Sequence, residues 1–145
     1  LNDAIPIERG LDESIHRYTT DQKIIDYTRT DVGRARAAGR SMIPTTPAPA
    51  RAVGEVLPEL NDKRGWLAVR GPTTNVWMTD MTFTPKRETS SDGVNQLLKA
   101  GAEGSPLKGV LANSKDRLAS IDYNGHPGNF TVDTFEAAGI GGSVV

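Results

Sequence analysis

A chain of 145 residues with 17 Lys and Arg against 18 Asp and Glu has a net charge of −1, which argues against a general nucleic-acid binder that draws its affinity from phosphate neutralisation. With no cysteine and two histidines, His16 and His126, these residues exclude disulfides, thiolate catalysis and cysteine-based zinc sites. No apolar run long enough for a membrane span and no signal peptide is visible, so one domain over 1–145 in a reducing, cytoplasmic setting is the default expectation.

Alternation from Leu11 to Tyr18 predicts a strand with Leu11, Glu13, Ile15 and Arg17 on one face and His16 and Tyr18 on the other. The apolar period then disappears, which predicts a long loop over 19–41 where Arg29, Arg34, Arg36 and Arg40 interleave with Asp21, Asp26 and Asp31. Arg34, Arg36 and Arg40 suit a phosphate, and equally suit surface pairing with the three aspartates. Loops of this length are usually functional or packed against a partner.

Pro47 and Pro49 stand before Ala52, Val53, Val56 and Leu57 at helical spacing, predicting a short helix over 48–57. A turn at Asn61, Asp62 and Gly65 leads into a strand over 66–69, closed by Gly71 and Pro72. A longer strand over 75–84 places Trp77, Thr79, Met81 and Phe83 on a core face, with Val76, Met78, Asp80 and Thr82 opposite. Two partly apolar faces predict burial on both sides, one of them at a subunit interface. Thr89 with Asp92 predicts the start of a helix carrying Val94, Leu97 and Leu98, ended by Gly101 and Gly104. Short strands follow near 109–111, 118–123 and 130–132, with His126 as an exposed turn residue. The expected class is α+β, a mostly antiparallel sheet with helices packed on one face.

Several blocks carry a resemblance: Ser14 to Gln22, Arg34 to Ala38, Met42 to Thr46, Arg51 to Leu60, Val69-Arg70, Asn75-Val76, Thr82 to Thr89, Pro106 to Val110 and Ser120 to Asn124. In this order they resemble the catalytic domain of bacterial glyceraldehyde-3-phosphate dehydrogenase, and the match is collinear over nearly the whole chain. The resemblance implies NAD as cofactor, a phosphorylated aldehyde as substrate and a homotetramer in which the loop over 19–41 contacts the cofactor of a neighbouring subunit. It also implies a cysteine thiolate that attacks the aldehyde and a histidine that lowers the thiol pKa and acts as base. His16 matches that histidine; Thr19, Asp21 and Arg70 match positions that cradle the substrate phosphate. No metal site is implied.

Departures from the family pattern shape a further expectation. The nucleophilic cysteine and the nucleotide-binding domain both precede the matched region in the family, and no G-x-G-x-x-G fingerprint occurs here, so the chain alone is expected to be an inactive fragment that binds no NAD. Pro47 and Ala48 replace a threonine and a glycine that serve the attacking phosphate, and Gly33 replaces an arginine. Losing two charged hydrogen bonds would weaken inorganic phosphate by about a hundredfold or more. The alternative expectation is a diverged or engineered non-catalytic domain that serves as an oligomerisation or binding module. Its engineered form rests on Asp12 and Glu13, read as a once-buried surface made soluble.

Overall fold

In the computed structural model, which describes residues 1–46, 49–104 and 106–145, the alternating segment around His16 becomes strand β1 over Ile7–Arg17. It starts earlier than the alternation suggests because Ile5 and Ile7 are buried and the Ile7 amide donates to Asn2 Oδ1 at 3.0 Å. Strand β2 spans Ile43–Thr45, helix α1 Pro49–Val56, β3 Arg64–Gly71 and β4 Trp77–Pro85. Helix α2 spans Ser91–Glu103, β5 Leu111–Ser114 and β6 Phe130–Asp133. The predicted helix thus holds from Pro49; Ala48 lies outside the described residues.

The fold is α+β, with a mostly antiparallel four-stranded sheet in the order β2-β3-β1-β4. Strand β2 runs antiparallel to β3 with Ile43 opposite Arg70 and Thr45 opposite Ala68. Its position at the sheet edge accommodates Pro44, which has no amide to give a ladder. Strands β5 and β6 form a separate parallel pair, Leu111 opposite Phe130.

The chain divides into two compact units. One comprises 1–10, 82–119 and 125–145. Its buried side chains are Ile5, Ile7, Phe83 and Val94; α2 packs against β5, and Phe83 exchanges backbone hydrogen bonds with Val145. The other comprises 11–81 and 120–124, with Ala37, Ala38, Ile43, Leu60 and Ala68 buried and α1 packed on the 3-10 turn Pro58–Leu60.

Several sequence expectations are corrected. The strand expected near 118–123 is a 3-10 turn over Ser120–Tyr123, closed by Asn124 N–H donating to the Ile121 carbonyl; Ile121 is exposed, so its apolar side chain has no core to recruit it into a sheet. The strand expected near 109–111 begins at Leu111, since Gly109 sits at φ 82°, outside any strand conformation. Ser90, not Thr89, caps α2: its hydroxyl accepts from Gly93 N–H at 3.1 Å, while the Thr89 amide donates to the Gly142 carbonyl. The helix runs through Gly101 and stops at Gly104. Along β4, Phe83 is buried and Met81 half-buried, whereas Trp77 and Thr79 are exposed, so the expected core face exists only in the strand's second half.

The largest correction concerns Asp12. Leu11 and Ile15 are exposed, and beyond Ile7 the side chain that β1 buries is Asp12, at 1% exposure. Arg64 Nε donates to its Oδ2 at 2.6 Å and Nη2 to its Oδ1, a two-pronged pair, and the guanidinium lies 4.7 Å from the centre of the Trp66 ring. Asp12 therefore ties β1 to β3 and does not solubilise a surface, which removes its support for engineering. Replacing one partner leaves the other charge buried, and Asp12→Ala is expected to cost about 3 kcal/mol of unfolding free energy, the low end for a buried pair because Arg64 keeps some contact with water. Denaturant titration checks this, with Asp12→Leu/Arg64→Leu expected to recover most of the loss.

Candidate functional site

His16, Thr19, Asp21 and Arg70 all belong to the unit formed by 11–81 and 120–124. His16 sits near the end of β1, which lies between β3, carrying Arg70, and β4, carrying Trp77. The chain's backbone carbonyl at Arg17 is the meeting point. His16 Nδ1 lies 2.8 Å from that oxygen, and Arg70 Nη1 donates to it at 3.4 Å. A carbonyl oxygen only accepts, so Nδ1 carries the proton and the neutral ring keeps its lone pair on Nε2. Among the described residues nothing hydrogen-bonds Nε2, which leaves it available as a base.

Arg70 brings a second feature. Its Nε is buried with no hydrogen-bond partner among the described residues. An unpaired donor in a guanidinium is a place for an acceptor such as a phosphate oxygen. Thr19 closes a tight local turn: its amide and its hydroxyl both donate to Gln22 Oε1 at 2.9 Å, and Gln22 N–H donates to the Thr19 carbonyl. Gln22 is buried, which fixes where Thr19 stands.

Asp21 is the electrostatic hub. Arg29 Nη2 donates to its Oδ1 at 2.9 Å and Arg34 Nη1 to its Oδ2 at 3.4 Å. Arg34 also donates to Thr45 Oγ1 at 3.2 Å, which links the loop to β2. The Arg29 hydrogen bond, and then the charges of Arg29, Arg34 and Arg70, hold the Asp21 carboxyl below its ordinary 3.8 against a partial desolvation. Asp26 is held low in the same sense, first by the Ala37 amide at 2.7 Å and then by Arg36 at 3.0 Å. Of the arginines expected to pair at the surface, Arg34 and Arg36 are paired with the loop's aspartates, and Arg29 joins them. An ionised Asp21 only accepts, so what it contributes here is the placement of Arg29 and Arg34.

Two participants were not legible in the residue pattern. Gln22 stood three residues after Thr19 without an assigned part. Trp77, expected in the core, is 56% exposed and stacks on His16 with ring centres 4.9 Å apart and planes 23° from parallel. Such a pair contributes about 0.5–1.5 kcal/mol beyond its buried area. Just before it, Val76 adopts φ 63°, a left-handed conformation that costs a β-branched residue about 1–3 kcal/mol. Asn75 Oδ1 accepts the Val76 amide at 2.8 Å, and Asn75 Nδ2 donates to Asn124 Oδ1, so the strained turn is tied at two points. Gly33 and Gly71 are both tolerant places: a Cβ there would meet other atoms no closer than 3.4 Å and 3.6 Å. Pro47 and Ala48 lie outside the described residues.

A separate cavity of about 610 Å³ is lined by Ile24, Ile25, Asp26, Arg36, Arg40 and Ser41 among others; none of the four candidate residues lines it. Among the described residues no cluster of three or more His, Cys, Asp or Glu could hold a metal ion, and no helix is long and apolar enough to cross a membrane.

With this geometry in view, the comparison with known proteins is direct. Residues 1–145 match the model of the glyceraldehyde 3-phosphate dehydrogenase C-terminal domain. The chain belongs to the glyceraldehyde-3-phosphate dehydrogenase family. It is 44% identical over 145 residues to glyceraldehyde-3-phosphate dehydrogenase of Geobacillus stearothermophilus, covering all of this chain and 43% of that protein. The enzyme of the same name from Zymomonas mobilis is 41% identical over 144 residues, 99% of this chain and 43% of the relative. That of Xanthobacter flavus is 45% identical over 131 residues, 90% of this chain and 39% of the relative. The chain therefore spans about two fifths of the length of the curated relatives it matches.

The lowered carboxyls make the loop pH-sensitive in a defined sense. A carboxyl whose folded pKa is depressed contributes stability that is fully present above its ordinary value, here 3.8, and lost as pH falls through the depressed folded value. Hydrogen exchange at the Ala37 amide, which donates to Asp26, is expected to stay slow at about pH 5 and to lose protection below the ordinary carboxylate range. Asp26→Asn is expected to remove that acid step.

Proposed function

We propose that these residues form the phosphate-binding and proton-transfer part of a phosphorylating glyceraldehyde-3-phosphate dehydrogenase site in a cytoplasmic enzyme. The observation that carries this reading is the convergence of His16 and Arg70 on one carbonyl oxygen, with Nε2 of the one and buried Nε of the other unpaired. Arg70 and Thr19 bind the phosphate of the aldehyde substrate, Arg70 through its unpaired donor and Thr19 by turning its hydroxyl from Gln22. Asp21 is a positioning residue that holds Arg29 and Arg34 in place.

His16 Nε2 takes the proton of the nucleophile's thiol, returns it to the oxyanion formed when the thiolate adds to the aldehyde carbon, and takes it again from that hydroxyl as the carbon is oxidised. The nucleophile comes from outside these 145 residues, which contain no cysteine. Release of the acyl group by inorganic phosphate completes the family's reaction.

NAD is the family's oxidant, and these residues by themselves do not fit it. A dinucleotide's pyrophosphate rests on a glycine-rich turn between a strand and a helix N-terminus. Among the described residues no such turn stands between β4 and α2: that connection is Lys86 to Ser90, and the Ser90 hydroxyl already occupies the Gly93 amide. We accordingly assign this chain no NAD site of its own. Ile24 and Ile25, 80% and 69% exposed beside the loop cavity, support an assembly in which the loop over 19–41 faces another subunit of a homotetramer.

Three measurements test the reading. Purified 145-residue chain mixed with glyceraldehyde-3-phosphate, NAD and inorganic phosphate is expected to generate no reduced-nicotinamide absorbance above a His16→Ala control. In an enzyme that contains these residues together with the cysteine, His16→Asn is expected to lower kcat about 10²- to 10⁴-fold, the usual worth of a general base. Arg70→Gln is expected to raise KM for the phosphorylated aldehyde about tenfold or more, as loss of one charged hydrogen bond implies. Unchanged kcat in the first variant and unchanged KM in the second would overturn the assignment.

A further inference from the structure

We propose that Trp77 is a positioning residue for His16: by stacking on the imidazole it keeps Nδ1 turned to the Arg17 carbonyl and so holds the base-competent lone pair on Nε2. The inference deepens the function proposed above and rests on it for its catalytic meaning, while its structural content stands on the geometry alone.

Three observations lead there. An imidazole on a half-exposed strand end is free to rotate about its bond to Cβ, and a half-turn would replace Nδ1 by Cδ2 beside the Arg17 oxygen. Nothing else described holds the ring: its one hydrogen bond is the one to Arg17, and the stack with Trp77 is its one aromatic contact. Stacking engages the ring face and leaves both nitrogens free at the edge: it holds the ring in the plane where Nδ1–H can meet the Arg17 carbonyl, and that carbonyl then selects between the two half-turn positions. Finally, Trp77 is aimed by a backbone that departs from ordinary strand geometry. Val76 stands at φ 63° immediately before it, and Asn75 and Asn124 pin that turn. A large aromatic side chain left more than half exposed and set up by a strained neighbour is not explained by core packing.

The tautomer of the neutral ring reads this directly. In free histidine the proton resides mainly on Nε2; at His16 the carbonyl acceptor demands it on Nδ1. His126 supplies an internal control of the opposite kind, since its Nδ1 accepts the Gly128 amide at 3.1 Å and its proton must lie on Nε2. Long-range proton–nitrogen correlation spectra of ¹⁵N-labelled chain, recorded at about pH 8.5 where unperturbed imidazoles are neutral, separate the two patterns.

The wild-type chain is expected to show His16 in the Nδ1–H form with its Cε1 proton displaced by the indole ring current, and His126 in the Nε2–H form. In Trp77→Leu, His16 is expected to pass mainly to the Nε2–H form with His126 unchanged, and Trp77→Phe is expected to preserve the Nδ1–H form. Persistence of Nδ1–H in Trp77→Leu overturns the proposal, as does a wild-type His16 with no ring-current displacement or in the Nε2–H form. If the leucine variant does not fold, the wild-type spectrum and the phenylalanine variant still decide, because loss of Nδ1–H in the latter contradicts a role for the aromatic face. In an enzyme that contains the cysteine, Trp77→Leu is expected to lower kcat about ten- to a hundredfold with KM for the aldehyde unchanged, as misorientation of a base does. A normal tautomer response together with an inert His16→Asn variant would keep the positioning and refute the catalytic reading; the reverse pair would do the opposite.

Discussion

Strand β1 lies between β3 and β4, and the site depends on that order. It places Arg70 on one side of His16 and Trp77 on the other, and it ends at Arg17 with a carbonyl oxygen accepting from two side chains. A carbonyl cannot donate, so this single atom dictates which histidine nitrogen holds the proton. Farther along the same strand, Asp12 is gripped by Arg64 of β3, which locks the two strands together well away from the site. A pair of this kind is weak evidence for added stability, because desolvation offsets most of the attraction, but it is severe on a strand that slips: one residue of slippage would point the carboxylate to the opposite face.

The loop after β1 gains its shape from charge pairing together with a few buried residues, Gln22, Ala37 and Ala38. Asp21 and Asp26 each accept from more than one donor, and Tyr27, Ala35, Lys23 and Ala38 close it with backbone hydrogen bonds. This explains how a polar stretch without sheet or α-helix can present defined groups. The guanidinium groups of Arg29 and Arg34 are engaged by Asp21, Tyr27, Asp31 and Thr45, whereas Arg70 Nε has no partner among the described residues. Positive charge is pooled around a carboxylate that cannot itself bind phosphate, and this is an arrangement for orienting cations.

Family membership and geometry bear on different halves of the chemistry. The family match fixes ancestry over residues 1–145, whereas the relatives are more than twice as long. Within these residues stand the proton acceptor and the anion donors we propose, without a thiol. Oxidation of an aldehyde through a thioester needs all three, together with an oxidant. The division is physically sensible: general-base and phosphate-binding groups gain precision from a rigid sheet, and a cofactor site needs a different architecture, a glycine turn feeding a helix.

Much of this was legible in the residues. Alternation found β1 and β4, turn chemistry bounded β3, and His16, Thr19, Asp21 and Arg70 were named from their place in family blocks and fall in one unit of the fold. Local signals failed where a distant partner outweighed them: apolar alternation at Leu118 to Tyr123 met no core, and Asp12 was buried because Arg64 was there to meet it. The sequence by itself determined which residues were candidates for the site and the absence of a thiol, since these are matters of residue identity and of short-range pattern. Only the tertiary structure decided that Trp77 covers His16, that the Arg17 carbonyl selects the tautomer and that one donor of Arg70 stays unpaired, because each depends on which strands become neighbours, and that is set by contacts far apart along the chain.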